Sequence, residues 1–381
     1  MCRRLGCIFG DLPEPHRFSG NDNYTKLLII GASGMTGNAV MEAAVACVWF
    51  RVVAFTRNPD SLVDNPHVKK GKVSVVKGDM LEMDSLSNAM MDIDVVFFTT
   101  AYWDTRDKEC EYKQHLLYAG TPYSSRHAEV PCKCLAAKEK VQQLVLNSGV
   151  PCTIIQMGFY YENFVSIFKP HPVEPLTYAV ALPMGNVSLN CGSVLDFAHC
   201  IAKIILHPND YIGVVIKLST GYHTLTQLVA WMDRQLPDVT IFDPKITIDE
   251  YETINYEGSE EMCAMFKFLL SPVSMFKWDQ KLAYELCPSA RSFTSWLEES
   301  EKAFVTCLKE DQVCDEIGKI SVEISLASET LEHSVITPVD GSLILTRRKT
   351  FRWKFLIKVA NILRSVRIQP SNGKNRAAVI Q

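Results

Sequence analysis

Three glycines at regular spacing stand between a short apolar run, 26–30, and an apolar helical pattern that begins near residue 34. They belong to the segment Gly31, Ala32, Ser33, Gly34, Met35, Thr36 and Gly37. Glycine suits a tight turn, a close backbone approach to an anion, and close packing of a helix on a strand. The beginning of a helix also offers free N–H groups to a phosphate. The segment therefore predicts a pyrophosphate-binding loop, and the alternative is a glycine-rich turn without a ligand.

The residue after the second predicted strand indicates which dinucleotide would bind. A site for NAD favours a carboxylate there, on the ribose 2′-hydroxyl. This strand ends in Thr56 and is followed by Arg57, whose guanidinium group suits a 2′-phosphate. Asp60 comes soon after, but Pro59 is expected to turn the chain away. The sequence therefore favours NADP(H) over NAD(H), and the alternative is that Arg57 is only a solvated charge.

Uninterrupted apolar runs alternate with helical patterns around this loop, as is typical of parallel strands buried on both faces. This rhythm predicts an α/β fold, a Rossmann-type doubly wound parallel sheet with a smaller, mostly helical C-terminal lobe. The predicted strands are 26–30, 51–56, 73–76, 93–100, 116–119, 153–157 and 214–218. The predicted helices are 34–47, 134–148, 194–206 and 225–236, with a mostly helical region at 247–304.

The same patterns divide the chain into four parts. We expect an irregular leader at 1–24, an NADP-binding Rossmann domain at 25–158, a smaller lobe at 159–304 and a disordered tail at 305–381.

Composition narrows the class of protein. Residues 346–381 carry ten basic and no acidic residues, which leaves 29 basic and 43 acidic residues elsewhere, a net charge of −14. An acidic body argues against direct nucleic-acid binding. The 13 cysteines include no Cys-x-x-Cys pair, so we predict no metal site. With no apolar run of about 18 residues, we expect no transmembrane segment and an intracellular protein with reduced thiols.

Five segments stand in collinear order: the glycine segment 31–37, then 56–59, 78–79, 100–103 and 160–163. Together they resemble the NmrA-like family of atypical short-chain dehydrogenases, and the resemblance covers residues 26–304. It implies an NADP-binding Rossmann domain with a smaller C-terminal lobe in a redox sensor or regulatory protein. We expect such a protein in the cytoplasm, with the nucleus as a second location. Such a protein would change its regulatory protein partners, or its self-association as a homodimer, with the NADPH/NADP state.

The resemblance also implies a role for individual residues. The glycine segment would hold the pyrophosphate, Arg57 the 2′-phosphate, and Gly78 with Asp79 the adenine. The residues expected around the nicotinamide and its ribose are Thr100, Ala101, Tyr102, Lys138, Tyr160, Tyr161, Glu162 and Asn163. Family members often have Asn where Ala101 stands, so one hydrogen bond is not expected here. For Tyr160 and Tyr161 the alternative is aromatic packing in the core.

The tyrosine of a short-chain dehydrogenase is missing. In that class a Tyr four residues before the Lys moves a proton to or from the substrate oxygen. Here Cys134 stands four residues before Lys138, and a thiol suits that task poorly. This favours a sensor with little or no dehydrogenase turnover. The alternative is an NADPH-dependent oxidoreductase, because isoflavone-reductase-like relatives are thought to use the Lys without the Tyr; Lys138 would then be catalytic.

Two segments depart from the family pattern. The crossover at 101–115 has barely the length of about 10–12 residues that a complete crossover needs. A shortened crossover would also fit a spliced or misassembled gene product. It leaves open a third function besides the sensor and the oxidoreductase, namely an interaction protein that no longer binds nucleotide. The basic and apolar stretch 347–368 matches a membrane-surface or calmodulin-type helix, and the alternative is a disordered extension.

Overall fold

The computed structural model describes residues 24–80, 82–99, 149–253, 258–271 and 277–310, together with residues 142 and 145–147. The elements of the first half are, in chain order, β1 (Thr25–Ile30), α1 (Met35–Ala46), β2 (Phe50–Thr56), a 3-10 turn (Pro59–Leu62), α2 (Pro66–Lys69), β3 (Val73–Lys77), α3 (Met83–Met90) and β4 (Val95–Phe98). The predicted leader up to residue 23, crossover 101–115, strand 116–119, most of helix 134–148 and the tail beyond residue 310 lie outside the described residues.

From residue 154 the chain alternates short strands and helices. The elements are β5 (Ile154–Met157), β6 (Phe159–Tyr160), a 3-10 turn (Tyr161–Val165), β7 (His171–Glu174), β8 (Thr177–Ala179), β9 (Ser188–Gly192), α4 (Val194–Leu206), α5 (Pro208–Tyr211), β10 (Val215–Leu218), β11 (Gly221–Thr224), α6 (Leu225–Gln235), β12 (Thr240–Phe242), α7 (Ile248–Glu252), α8 (Ser259–Leu269), α9 (Lys281–Leu286) and α10 (Phe293–Glu310).

Four parallel strands form the first sheet, in the order β3-β2-β1-β4. Ile30, the last residue of β1, pairs with Phe55 of β2 and with Phe98 of β4. The carboxyl ends of neighbouring strands therefore meet along one edge, where α/β sheets bind their ligands. The predicted parallel α/β architecture is confirmed.

Helices cover both faces of this sheet because β1 is apolar on both sides. Leu27 and Ile29 belong to the core that includes α1 and α4, whereas Leu28 and Ile30 pack in a second core with Leu86 of α3. All four of these side chains are fully buried. Burying a Leu or Ile side chain contributes about 1.5–3 kcal/mol, so this strand is a main source of stability for the sheet.

The first sheet and the region after residue 158 share α4. This helix has the ends that the sequence predicted, 194–206, and packs against α1. β10 then pairs in parallel with β5, with Ile155 beside Ile216 and Met157 beside Leu218. The boundary at residue 158 stays a prediction, and α4 and β10 continue the α/β pattern beyond it.

The smaller lobe contains two three-stranded sheets, β11-β9-β6 and β12-β8-β7, besides its helices. These strands were not predicted, because each has only two to five residues and shows little alternation. A large aromatic core, which includes Tyr161, Phe266, Phe293 and Trp296, holds the lobe together. Helix α6 begins with a capping box between Thr224 and Gln227. No helix among the described residues is long and apolar enough to cross a lipid bilayer.

Candidate functional site

The glycine segment turns sharply between β1 and α1. Gly31 has a φ of +80°, in the left-handed region that favours glycine, and its carbonyl accepts a hydrogen bond from the Gly34 N–H at 3.0 Å. A Cβ on Gly31 would lie 2.8 Å from Cγ2 of Thr99, the residue that follows β4. The loop therefore fits against the neighbouring strand only when this position is glycine.

Gly37 brings the first turn of α1 against the loop itself. A Cβ at this position would lie 2.0 Å from the carbonyl oxygen of Gly31, so no other residue fits without moving the backbone. The predicted role of the third glycine, close packing of helix on strand, agrees with this geometry.

The first turn of α1 has the features of an anion-binding site. The first helical hydrogen bond runs from the Asn38 N–H to the Gly34 carbonyl at 2.8 Å. The N–H groups of Met35, Thr36 and Gly37 come before it and have no acceptor within the helix. Gly34 supplies no side-chain cap, and the first turn contains no acidic residue. The positive end of the helix dipole is therefore available to a negatively charged group.

Ser33 connects the loop to the end of β2. Thr56, the last residue of β2, donates its hydroxyl to Ser33 Oγ at 3.5 Å, and its Oγ1 accepts from the Asn58 N–H at 3.2 Å. Arg57 lies between them in sequence, and its side chain is exposed. Arg57 therefore follows β2 at the edge where the carboxyl ends of the strands meet, one residue from a contact with the loop. Ala32 is fully buried, so its side chain belongs to the core.

Gly78 and Asp79 follow β3 at the same edge. The Gly78 N–H donates to the Thr56 carbonyl at 3.1 Å, and a Cβ on Gly78 would lie 2.4 Å from the Phe55 ring. The Asp79 N–H donates to the hydroxyl of Ser85 at 3.1 Å. The described parts of the predicted site thus meet at one edge, as expected of strand ends in a parallel sheet.

Tyr160 links the smaller lobe to the loop. Its hydroxyl lies 3.3 Å from Thr36 Oγ1 in the first turn of α1, and 3.7 Å from Met157 Sδ. Burial raises the pKa of Tyr160 to about 12, with a further increase from the nearby Glu162, although the hydrogen bond with Thr36 opposes it. The phenol is therefore protonated at neutral pH and can donate a hydrogen bond.

Tyr161, the next residue, points into the aromatic core. Its side chain is fully buried, and its ring meets that of Phe293 at a centroid distance of 5.0 Å and an interplanar angle of 70°. Its hydroxyl accepts a hydrogen bond from Cys191 Sγ at 3.9 Å. Burial raises the pKa of Tyr161 far above its usual range. These contacts are those of aromatic packing in the core. A contact of Tyr161 with the nucleotide stays a prediction.

Glu162 joins three elements through its carboxylate. It accepts hydrogen bonds from Ser193 Oγ at 2.6 Å, from the Val194 N–H at 2.9 Å and from Trp296 Nε1 at 3.1 Å. Val194 is the first residue of α4, so a negative charge lies at the positive end of that helix. The contacts described for Glu162 stabilise the lobe. That Glu162 also lies over the nicotinamide stays a prediction.

Asn163 is the middle residue of the 3-10 turn after Tyr160. Its carbonyl accepts from the N–H groups of Ser166 and Phe168 at 3.2 and 2.8 Å. The remaining predicted site residues lie outside the described residues, and their positions stay predictions; they are Thr100, Ala101, Tyr102 and Lys138.

Sequence reasoning missed the polar network that extends from Glu162. The guanidinium group of Arg291 donates to Ser193 Oγ at 2.7 Å and pairs with the buried carboxylate of Asp196 at 2.9 Å. Ser193 stands directly before an apolar helical pattern, and a serine at such a position is a signal that a helix begins there. Nothing in the local sequence indicated that Arg291, far along the chain, would contact it.

Comparison with known proteins identifies relatives of the chain. A family model described as the NmrA-like family matches residues 23–285. The chain is 22% identical over 260 residues to an NmrA-like family domain-containing protein of Dictyostelium discoideum, covering 62% of this chain and 84% of that protein.

Solved structures share the fold at low identity. One is NmrA, a negative transcriptional regulator, in complex with NADP, with a TM-score of 0.63 and 16% identity over 77% of this chain and 99% of that one. Another is the NADPH-dependent quinone oxidoreductase QOR2 of Escherichia coli complexed with NADPH, with a TM-score of 0.58 and 16% identity over 72% of this chain and 99% of that one. At this identity the likeness concerns the fold alone.

Replacing Gly37 with alanine tests the contact between α1 and the loop. Because the new Cβ meets the Gly31 carbonyl, we expect the free energy of unfolding to fall by about 1–3 kcal/mol. Urea denaturation followed by circular dichroism measures this. Glu42→Ala, on an exposed position of the same helix, should change it by less than about 0.5 kcal/mol. Equal stability of Gly37→Ala and the unmodified protein would contradict the tight packing.

Replacing Glu162 with alanine tests the network at the beginning of α4. The change leaves the Val194 N–H and the Trp296 indole N–H without their acceptor, so we expect a loss of about 2–4 kcal/mol in unfolding free energy. Glu162→Gln keeps one acceptor oxygen and should cost about half as much. Glu298→Ala, an exposed glutamate on α10, is the control and should be nearly neutral. A Glu162→Ala protein as stable as this control would rule out the structural role.

Proposed function

The chain is a member of the NmrA-like family, and from this membership and the site geometry we propose that it binds NADP(H) as a regulatory redox sensor. One observation carries the proposal. The beginning of α1 and the carboxyl ends of β1, β2 and β3 meet around a glycine loop that leaves the helix dipole open to an anion. This is the arrangement in which a dinucleotide pyrophosphate binds.

The glycine positions give a test of fit. The spaces beside Gly31 and Gly37 are too small for a Cβ, which is typical of a loop whose backbone, rather than its side chains, faces a ligand. In the proposed complex, the N–H groups of Met35 and Thr36 would hold the pyrophosphate.

The preference for NADP(H) rests on the end of β2. The residue after this strand is Arg57, where an NAD site would favour a carboxylate on the ribose. Asp60 lies in the 3-10 turn Pro59–Leu62, beyond the end of the strand. The exposed guanidinium group of Arg57 would pair with the 2′-phosphate. Among the solved structures that share the fold, NmrA is in complex with NADP in one and with NAD in another, and QOR2 is in complex with NADPH. These complexes support a nicotinamide dinucleotide here, and Arg57 carries the preference for NADP(H).

The regulatory part of the proposal rests on the missing Tyr of the Tyr-x-x-x-Lys pair. Without that proton donor, bound NADPH would be retained rather than oxidised. A sensor needs two conformational states with different affinities for NADPH and NADP. The contact of Tyr160 with Thr36 gives the smaller lobe a direct connection to the nucleotide loop. Regulatory proteins, or a second copy of this chain in a homodimer, would bind one of the two states, in the cytoplasm or the nucleus.

An NADPH-dependent oxidoreductase is the second candidate, and Tyr160 favours it. Its hydroxyl stays protonated at neutral pH and lies beside the first turn of α1. A substrate carbonyl in reach of this phenol could receive a proton during reduction. QOR2, which shares the fold, is an NADPH-dependent oxidoreductase.

Replacing Arg57 with alanine tests the nucleotide preference. We expect binding of NADPH to weaken by about 1.5–3 kcal/mol, because a charge-assisted hydrogen bond to the 2′-phosphate is lost, while NADH binding stays nearly unchanged. Isothermal titration calorimetry measures both. Arg51→Ala is the matched control, since Arg51 is exposed at the opposite end of the same strand. An equal loss for both nucleotides would contradict the role of Arg57.

Turnover separates the sensor from the oxidoreductase. The full chain is mixed with NADPH and a panel of quinones and aldehydes, and the absorbance of NADPH is followed over time. We expect tight binding without oxidation. Oxidation that is abolished in Tyr160→Phe would establish the oxidoreductase instead, and failure to bind NADPH at all would overturn both candidates.

A further inference from the structure

A second cluster of reactive side chains lies between α4 and α9. The donor atoms of Asp196, His199 and Cys287 lie within 4.8 Å of one another. Asp196 and His199 are one turn apart on α4, and Cys287 directly follows α9. Their exposed fractions are 4%, 9% and 1%, respectively. We call these three residues, together with Cys200, the α4–α9 cluster.

Cys200 adds a second sulfur to the cluster. It is fully buried on α4, and its thiol donates to the Ala283 carbonyl of α9 at 3.5 Å. The sulfurs of Cys200 and Cys287 are also neighbours, and their interaction lowers the pKa of Cys287 and raises that of Cys200. Ser289 Oγ lies 3.6 Å from Cys287 Sγ and supports the same decrease.

His199 is held in its neutral form. Burial lowers its pKa, Arg291 lowers it further, and the nearby Asp196 opposes this only in part. A hydrogen bond with the Leu195 backbone orients the ring. A hydrogen bond from one ring nitrogen to a backbone carbonyl is the usual support of a histidine that binds a metal.

We propose that the α4–α9 cluster is a binding site for one zinc-class divalent cation. Its donors would be two thiolates, one imidazole and one carboxylate, four donors of the kinds that bind zinc with tetrahedral geometry. Asp196 and His199 stand three residues apart and share a helix face, and Cys287 approaches from α9. Cys200, adjacent to Cys287, completes the set by rotating its thiol from Ala283.

The charges of the assembly balance. Arg291 pairs with Asp196 through Nη2 at 2.9 Å, and its own backbone N–H donates to the other oxygen at 2.8 Å. Binding of the divalent cation releases the two thiol protons to solvent. Among the buried groups, the two positive charges of the cation and the one of Arg291 are then matched by two thiolates and the Asp196 carboxylate. The exposed carboxylate of Glu299, 3.1 Å from Nη1 of Arg291, adds a further negative charge at the solvent side. A buried group of zero net charge avoids the large cost of an uncompensated charge, so Arg291 is compatible with the metal.

The proposed site is separate from the nucleotide loop. Val194, Ala198 and Ile201 of α4 share a core with α1, whereas Phe197, Cys200 and Ile204 share one with α9. The cation would therefore fasten α9 to the face of α4 that is turned away from the glycine segment. Its direct effect would be on the stability of this contact between α4 and α9. The spacing along the sequence did not reveal this cluster, because its fourth donor comes from a distant helix.

Cobalt and zinc serve as probes of the full chain, purified under reducing conditions. Zinc content is measured by mass spectrometry of the metal, and Co²⁺ is added to follow the thiolate-to-cobalt charge-transfer absorption. We expect one equivalent of metal, a charge-transfer band typical of two thiolates, and a higher melting temperature with Zn²⁺.

Variants assign the site. Cys287→Ser should lose the metal and the zinc-dependent shift in melting temperature. Cys263→Ser removes a buried thiol of α8 and should keep both. Far-ultraviolet circular dichroism reports whether each variant is folded, whether or not NADPH binds, and His199→Gln replaces Cys287→Ser if the latter does not fold. Absence of metal from the reduced protein, or equal metal in Cys287→Ser, would overturn the proposal. So would a disulfide between Cys200 and Cys287, seen as the loss of two hydrogens by mass spectrometry, that persists under reducing conditions.

Discussion

The close approach of two backbones, at Gly31 and Gly37, determines the position of everything else in the candidate site. The carbonyl of Gly31 occupies the space that a side chain on Gly37 would need. The first turn of α1 is thereby held against the end of β1, and its N–H groups point toward the edge where β2 and β3 also end. Thr99 closes the other side of the turn. The alignment of the helix dipole with this edge follows from packing and does not require a ligand to be present.

Three consecutive residues after β5 then connect this edge to the rest of the molecule. Tyr160 contacts the first turn of α1, Tyr161 enters the aromatic core, and Glu162 binds the beginning of α4. Tyr160 ends β6, and Tyr161 and Glu162 begin the 3-10 turn that follows it, so neighbouring residues contact three different parts of the fold. The position of the phenol beside the loop therefore depends on correct folding of the smaller lobe. A nucleotide bound at the loop, as proposed, would be linked through these residues to the stability of the lobe.

The sequence was sufficient for features that depend on local patterns. The β1 strand, the glycine segment and α4 follow from apolar periodicity and turn residues, and their predicted positions agree with the structure to within one or two residues. The short strands of the smaller lobe gave no such signal. The partners of Glu162 lie 31 and 134 residues away in the chain, and only the folded structure brings them together. The roles assigned to residues 100–102 and to Lys138 rest on the family resemblance alone.

The sharing of α4 between two cores has a consequence for synthesis on the ribosome. α1 ends at Ala46, whereas α4, which packs against it, begins only at Val194. At a translation rate of about 5–20 residues per second, α4 is synthesised on the order of ten seconds after α1. During that interval the apolar side chains of α1 that α4 will cover remain exposed near the ribosomal exit tunnel. We therefore expect chaperones that bind nascent polypeptides to bind the exposed apolar face of α1. Slower translation would lengthen the time during which this face is exposed.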